Sequence, residues 1–337
     1  MKAGRQGRWR LAWLAAALAC AGIVLPAAAQ QSQPPKKRVT VTYKKAPPAN
    51  TAAARSAATR KAQTRKTQTH KPAPAIRDVS GDGELHVQSS AVLVVDQQGG
   101  DTIYGKNVAS VTPIASITKL MTAMVVLDAK LPLEETVVID PADVDTLKRT
   151  TSRLAVGTPL TRGELMRLAL MSSENRAAAA LGRAYPGGTA AFLAAMNQKA
   201  AELGMLRTRF ADSTGLSSGN VSTAEDLAKM VRAAYDYPLI RDYSTTQEYE
   251  VTALRGRPLQ YRNSNGLVKD PDWTIGLQKT GYISEAGRCL VMQTMIAARP
   301  VIIVLLDSWG KYTRIGDANR IKRWMETTVL GRKPDLG

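Results

Sequence analysis

Histidine and cysteine are nearly missing from this chain of 337 residues, which has two of each. Acidic residues are missing from its first 77 positions altogether. Each shortage excludes something. With His70 and His86 the only imidazoles, a His-rich zinc site is ruled out, and a Ser-His-Asp triad would have to rest on His86 alone. Cys20 falls within an apolar leader, so Cys289 stands alone once the leader is removed, and no intramolecular disulfide can form. Cys289 sits in the run Cys289-Leu290-Val291-Met292 and reads as a buried, inert thiol. Metal, nucleotide and flavin chemistry lack any supporting motif, so no cofactor is expected.

The uneven charge makes the formal net of +18 a property of one end. Residues 1–77 hold 16 of the 46 basic residues, and the remainder carries 30 against 28 acids, a net of +2. Lys2, Arg5, Arg8 and Arg10 precede an apolar stretch from Leu11 to Leu25, and Ala27-Ala28-Ala29 follows as an A-x-A site. Residues 1–29 therefore read as a cleavable secretory signal, its apolar stretch being shorter than the ~20 residues a membrane span needs. The rival is an uncleaved anchor. A lipoprotein site at Cys20 fits less well, because more apolar chain follows it. Export to the periplasm is expected, and with it no nucleic-acid partner. Export without a disulfide framework requires a core large enough to do without one.

Residues 30–83 are rich in Pro, Ala, Thr, Lys and Arg, with Tyr43 the only aromatic residue. Such a stretch cannot bury enough apolar surface to offset its ordering entropy, and it reads as a disordered basic linker. It suits electrostatic contact with an anionic membrane or the cell wall, or a plain solvated spacer. Residues 84–337 form the ordered domain. Ser90–Asp96 and Asp101–Tyr104 read as a β-hairpin, and Ser116–Lys130 as a buried helix. Thr161-Arg162-Gly163-Glu164 and Ser222-Thr223-Ala224-Glu225 have capping-box spacing ahead of helical runs. Helices are also expected over Asn175–Ala184 and Thr189–Leu203, the latter stopped by Gly204. Strands return at Trp273–Thr280, Arg288–Ala298 and Pro300–Ser308, the last two joined by a turn at Ala298-Arg299-Pro300. A helix over Asp317–Val329 ends the pattern. Strands from both ends point to an α+β fold: one antiparallel sheet flanked by helices, with a mostly helical subdomain inserted over about 120–260.

Three short segments carry chemistry. In Ser116-Ile117-Thr118-Lys119 the serine and lysine lie on one helical face. With histidine so scarce, lysine is the remaining base for a serine nucleophile, given burial or a neighbouring cation to lower its pKa. About one Ser-x-x-Lys is expected by chance, and Ser308-Trp309-Gly310-Lys311 is a second match, at a strand end rather than at the start of an apolar helix. Ser173-Glu174-Asn175 could project a proton relay and an amide-binding group from a turn, or simply cap a helix; Ser218-Gly219-Asn220 has the same spacing. Lys279-Thr280-Gly281 follows an alternating strand. Its Lys279 and Thr280 could hold a substrate carboxylate, and Gly281 could leave room for a substrate lying along the edge.

In this order the three segments match the Ser-x-x-Lys, Ser-x-Asn, Lys-Thr-Gly set of penicillin-recognising serine enzymes. Leu170–Ala177, Asp212-Ser213-Thr214-Gly215-Leu216 and Lys279–Arg288 further resemble the low-molecular-mass D-alanyl-D-alanine peptidases, and Ser173-Glu174-Asn175-Arg176-Ala177 resembles their endopeptidase branch. The resemblance spans about 85–330 and favours Ser173 and Asn175 over Ser218 and Asn220. It implies the transpeptidase-like fold of serine β-lactamases and penicillin-binding proteins. It also implies Ser116 as nucleophile, Lys119 as its base, Ser173 as proton relay, Asn175 positioning Lys119 and substrate, and Lys279 and Thr280 binding a carboxylate. Backbone N–H groups of Ser116 and Tyr282 would form an oxyanion hole. The implied activity is cleavage of D-alanyl bonds in peptidoglycan peptides through an acyl-serine, with β-lactams as covalent inhibitors. Endopeptidase action on cross-links leads, with carboxypeptidase action as the alternative and non-catalytic wall binding as a third reading. A β-lactamase is disfavoured, since no Glu-x-x-Leu-Asn-type segment follows Ser173. The C-terminal β-rich domain of some carboxypeptidase relatives is not expected.

Overall fold

A computed structural model describes residues 85–331. The leader at 1–29 and the linker at 30–83 lie outside the described residues. β1 (Ala91–Asp96) and β2 (Thr102–Lys106) form the first hairpin. β3 (Thr112–Pro113) leads to a tight 3-10 turn, Ala115–Thr118, and on into α1 (Lys119–Asp128). A ribbon of β4 (Thr136–Val138) and β5 (Pro159–Thr161) precedes α2 (Arg162–Met171), α3 (Asn175–Arg183) and α4 (Gly188–Glu202). β6 (Val221–Ser222) pairs with β3 and is followed by α5 (Ala224–Tyr235) and α6 (Pro238–Thr245). β7 (Glu248–Thr252) and β8 (Pro258–Arg262) make a second hairpin. The long strands β9 (Thr274–Ile283), β10 (Gly287–Ile296) and β11 (Arg299–Ser308) come last, with α7 (Thr313–Gly331) behind them.

The main sheet has the order β2-β1-β11-β10-β9, antiparallel throughout. β1 pairs with β11 from Ala91 opposite Leu306 to Asp96 opposite Val301. The first and last strands of the sequence thus meet inside the sheet, and the chain between β2 and β9 builds the helical layer. Both faces are covered, which is why β1 and β11 read as continuous apolar runs instead of alternating ones. Leu93, Val95, Ile302, Val304 and Leu306 join the core shared with the helical layer. Val92, Val94, Val301, Ile303 and Leu305 pack on the other face beneath Ala318, Ile321 and Met325 of α7.

Local signals place most elements, with shifts at several ends: α1 starts at Lys119 instead of Ser116, and α7 at Thr313 instead of Asp317. Thr161 caps α2 reciprocally with Glu164, as the spacing predicts. At α5 the cap is Thr223, which accepts from the Asp226 N–H; Ser222 is occupied pairing with Thr112 in β6. The β10–β11 turn is Ala297-Ala298 (φ 48° and 60°), with Ile296 opposite Arg299, so Pro300 belongs to the strand. A two-residue turn with both φ positive matches the twist of the strands it joins. Replacing Thr161 by Ala removes the acceptor for the Glu164 N–H. Urea unfolding should then show a loss of about 1 kcal/mol with no change in denaturant slope.

Candidate active site

Ser116 lies in the 3-10 turn ahead of α1, 8% exposed. The sequence suggests the first turn of an α-helix there; the tighter turn instead eclipses positions i and i+3, setting Lys119 directly over Ser116. Lys119 Nζ is 2.8 Å from Ser116 Oγ, 2.8 Å from Asn175 Oδ1 and 2.5 Å from the Thr214 carbonyl oxygen. All three partners are neutral, and Lys119 has no exposed surface. Burial lowers its pKa to about 7, while the charges of Asp212 and Glu174 oppose the fall. An amine that is partly neutral at neutral pH can accept the Ser116 proton, as a general base must.

The second wall starts where α2 ends. Ser173 takes a left-handed backbone (φ 63°) that lets the chain turn into α3. The cap of α3 is Glu174, whose side chain accepts from the Arg176 N–H and from Ser152 Oγ. Asn175 is the first helical residue: its Oδ1 holds Lys119 and its Nδ2 donates to Thr150 Oγ1 at 3.0 Å. Ser173 stands beside this pair, half-buried, and its hydroxyl makes no hydrogen bond among the described residues.

The third wall is β9, an edge strand of the sheet. Lys279 is fully buried and its Nζ donates to the Thr280 carbonyl at 2.8 Å. Burial holds its pKa well below the usual lysine range, assisted by the positive charges of Lys119 and Arg314. Thr280 Oγ1 is 2.7 Å from Ser264 Oγ. Gly281 has a different use from the one its sequence suggests. A Cβ there would lie 2.9 Å from the Ile114 carbonyl oxygen and 3.1 Å from the Ser116 nitrogen, so glycine lets the strand edge close onto the Ser116 turn. The Tyr282 side chain is exposed beneath Arg288, its ring centre 4.5 Å from the guanidinium.

The two decoys are accounted for by their surroundings. Ser308 is buried 2.6 Å from Ser89 Oγ, and Lys311 lies over the exposed Tyr312 ring. Asn220 Oδ1 accepts from the Ala211 and Asp212 N–H groups, and its Nδ2 donates to Thr118 Oγ1, so it braces the Ser116 turn from behind. Cys289 is buried and its thiol is pushed up to about 11 by desolvation, as befits an inert core residue.

Sequence reasoning assigned no role to Asp212, Thr214 or Gly215, although their segment carried part of the family resemblance. Asp212 accepts from the N–H groups of Thr214, Gly215 and Ser217 and from Thr214 Oγ1, folding a loop that aims the Thr214 carbonyl at Lys119. Gly215 (φ 82°) passes so near the Ser116 turn that a Cβ would stand 2.0 Å from the Ala115 carbonyl oxygen. Arg314 in α7 was also missed. Its Nε and one Nη are buried without a partner among the described residues, near enough to Lys279 to depress its pKa.

The family model for peptidase S11, D-alanyl-D-alanine carboxypeptidase, matches residues 78–310. The chain belongs to this family. A D-alanyl-D-alanine endopeptidase of Pseudomonas aeruginosa is 50% identical over 245 residues, covering 72% of this chain and 79% of the relative. One from Escherichia coli is 48% identical over 242 residues, covering 72% and 78%. Among solved structures, a Streptomyces DD-transpeptidase superposes with a TM-score of 0.66 at 28% identity, over 71% of this chain and 97% of that one. A D-alanyl-D-alanine carboxypeptidase from Mycobacterium tuberculosis gives 0.65 at 26%, over 75% and 95%. The fold of this S11 peptidase is therefore that of the penicillin-binding enzymes.

A general base must be neutral to work, so if Lys119 fills that role its protonation at low pH should stop the peptidase. The second-order rate of acylation by a fluorescent penicillin should rise with pH, with its midpoint near the Lys119 pKa of about 7. A flat profile would exclude neutral Lys119 as the base.

Proposed function

We propose that the S11 peptidase hydrolyses D-alanyl bonds of peptidoglycan cross-links through an acyl-Ser116 intermediate. The observation that carries this is the 2.8 Å contact between Ser116 Oγ and a buried Lys119 amine whose partners are all neutral. In this reading Lys119 takes the hydroxyl proton as Ser116 attacks, and the N–H groups of Ser116 and Tyr282 stabilise the oxyanion. Asn175 keeps Lys119 in place and binds the substrate amide, while Ser173 passes the proton to the leaving amine. Lys279, Thr280 and Arg314 hold the carboxylate beyond the scissile bond. Water then releases the acyl group. β-Lactams, which present an acylating carbonyl and a carboxylate, inhibit by occupying Ser116.

Endopeptidase action is favoured because relatives of that name stand at 50% and 48% identity, whereas a Bacillus subtilis D-alanyl-D-alanine carboxypeptidase stands at 29%. Carboxypeptidase action remains the second reading on chemical grounds. In a cross-link the leaving amine belongs to a D-centre with its own carboxylate, so the same anchor serves both substrates. Purified cross-linked peptide dimers and pentapeptide monomers separate the two: dimers should be cleaved faster. Ser116→Ala should lower either rate at least ~10³-fold and abolish the penicilloyl mass adduct. Unchanged hydrolysis by folded Ser116→Ala enzyme would sink the acyl-Ser116 mechanism.

The reading extends to location. Lys2, Arg5, Arg8 and Arg10 ahead of the apolar stretch and the Ala27-Ala28-Ala29 site support export with cleavage before Gln30. The intact mass of protein from a periplasmic fraction should begin at Gln30; retention of residues 1–29 would favour the anchor. The basic linker supports a further role in holding the enzyme near an anionic membrane or wall.

A further inference from the structure

Three exposed aromatic side chains gather at one end of the main sheet, beside the reacting centre. Tyr282, near the end of β9, is 57% exposed. Trp309 and Tyr312, in the loop between β11 and α7, are 88% and 69% exposed. Strand register sets them together: Tyr282 stands opposite Arg288, and Arg288 opposite Ser308, the residue before Trp309. Two strand spacings, about 10 Å, therefore separate the Tyr282 backbone from the start of the loop. Singly exposed aromatics need no explanation, but Trp and Tyr grouped beside a cleft mark a binding surface. The chemistry proposed above uses only the Tyr282 backbone and gives no task to the three rings.

Cations accompany the rings. The Arg288 guanidinium lies 4.5 Å from the Tyr282 ring centre and Lys311 Nζ 5.2 Å from that of Tyr312, and neither makes an ion pair among the described residues. The acids at this end are engaged, Glu285 with Lys148 and Asp307 with Ser90 Oγ. The direction of the substrate says what meets this surface. In the proposed reaction the carboxylate of the leaving half sits at Lys279 and Thr280, and the scissile carbonyl at the Tyr282 N–H. The acyl half must then run on past Tyr282, towards the aromatic cluster. A few extended residues, at about 3.3 Å each, cover the two strand spacings. At that distance the stem peptide joins its glycan strand. Pyranose rings present C–H faces that lie well on the negative π-faces of Trp and Tyr, and the stem carboxylates suit the two free cations. A lipid surface on the same rings would press against the mouth of a cleft that wall peptides must enter.

We propose that Tyr282, Trp309 and Tyr312 form a glycan-binding surface for the sugar chain that carries the acyl half of the substrate. Trp309 supplies the main stacking face, and Arg288 and Lys311 attract the anionic stem between sugar and scissile bond. The inference deepens the function proposed above and rests on it. It makes the enzyme prefer stems still attached to their glycan over peptides already released from it.

The test uses the mature enzyme and two cross-linked dimers with identical peptides, one carrying a disaccharide on each stem and one with the sugars removed. Stacking on an exposed ring should favour the first at least ~fivefold in kcat/KM. Trp309→Ala and Tyr312→Ala should each bring that ratio towards one. Because the ratio is taken within one variant, any loss of folded enzyme cancels. Equal kcat/KM for both dimers with the unaltered enzyme overturns the glycan surface and leaves acyl transfer standing. A preference undiminished in both variants overturns the assignment to these rings. Co-sedimentation with anionic phospholipid vesicles that Trp309→Ala abolishes, without any preference for the sugars, gives the surface to lipid and overturns the proposal. No hydrolysis of either dimer, together with no penicilloyl adduct on Ser116, removes both readings.

Discussion

Lys119 is an amine without solvent and without a carboxylate partner. Its Nζ touches a hydroxyl, a side-chain amide oxygen and a backbone carbonyl. Taking an ammonium out of water costs several kcal/mol unless an opposite charge is supplied. Here the chain supplies only partial charges, and the amine responds by giving up its proton near neutrality. That response is the property a serine nucleophile requires of its base. The three partners come from the turn before α1, the first residue of α3 and the 212–217 loop, so the pKa of one side chain depends on the packing of three distant segments.

The nearby acids are arranged so as not to spoil this. Asp212 lies close enough to oppose the fall in the Lys119 pKa, yet its oxygens are engaged by N–H and O–H donors of its own loop. Glu174 likewise spends one oxygen on the α3 cap and Ser152. Neither acid pairs directly with Lys119, and one that did would hold it protonated. Two glycines do complementary work on the backbone: Gly215 and Gly281 approach the Ile114–Ser116 turn where no Cβ fits. The left-handed backbones of Ala115 (φ 48°) and Ser173 (φ 63°) cost on the order of 1–3 kcal/mol each and are held by this packing.

What could be read from sequence follows the range of the interactions. Ser116 and Lys119 are three residues apart, so helical geometry alone predicts their contact. The continuous apolar strands and the Thr161 cap are local in the same way. Ser173-Glu174-Asn175 and Ser218-Gly219-Asn220 could not be told apart by spacing, because what separates them is tertiary. Asn220 spends its amide on Ala211, Asp212 and Thr118, while Asn175 reaches Lys119. Arg314 gave no local sign, its meaning arising only when α7 packs near Lys279. The β7–β8 hairpin was legible and passed over: Tyr249 and Val251, then Leu259 and Tyr261, alternate as strand residues should.

Three cationic side chains, Lys119, Lys279 and Arg314, lie near one another. Lys119 and Arg314 both act on Lys279, and no acid pairs directly with any of the three among the described residues. Desolvation lowers both lysines and repulsion lowers Lys279 further, while Arg314, with the highest intrinsic affinity, keeps its proton. An anion brought against Lys279 would favour its protonated form, because an opposite charge offsets the desolvation and the repulsion that lower its pKa.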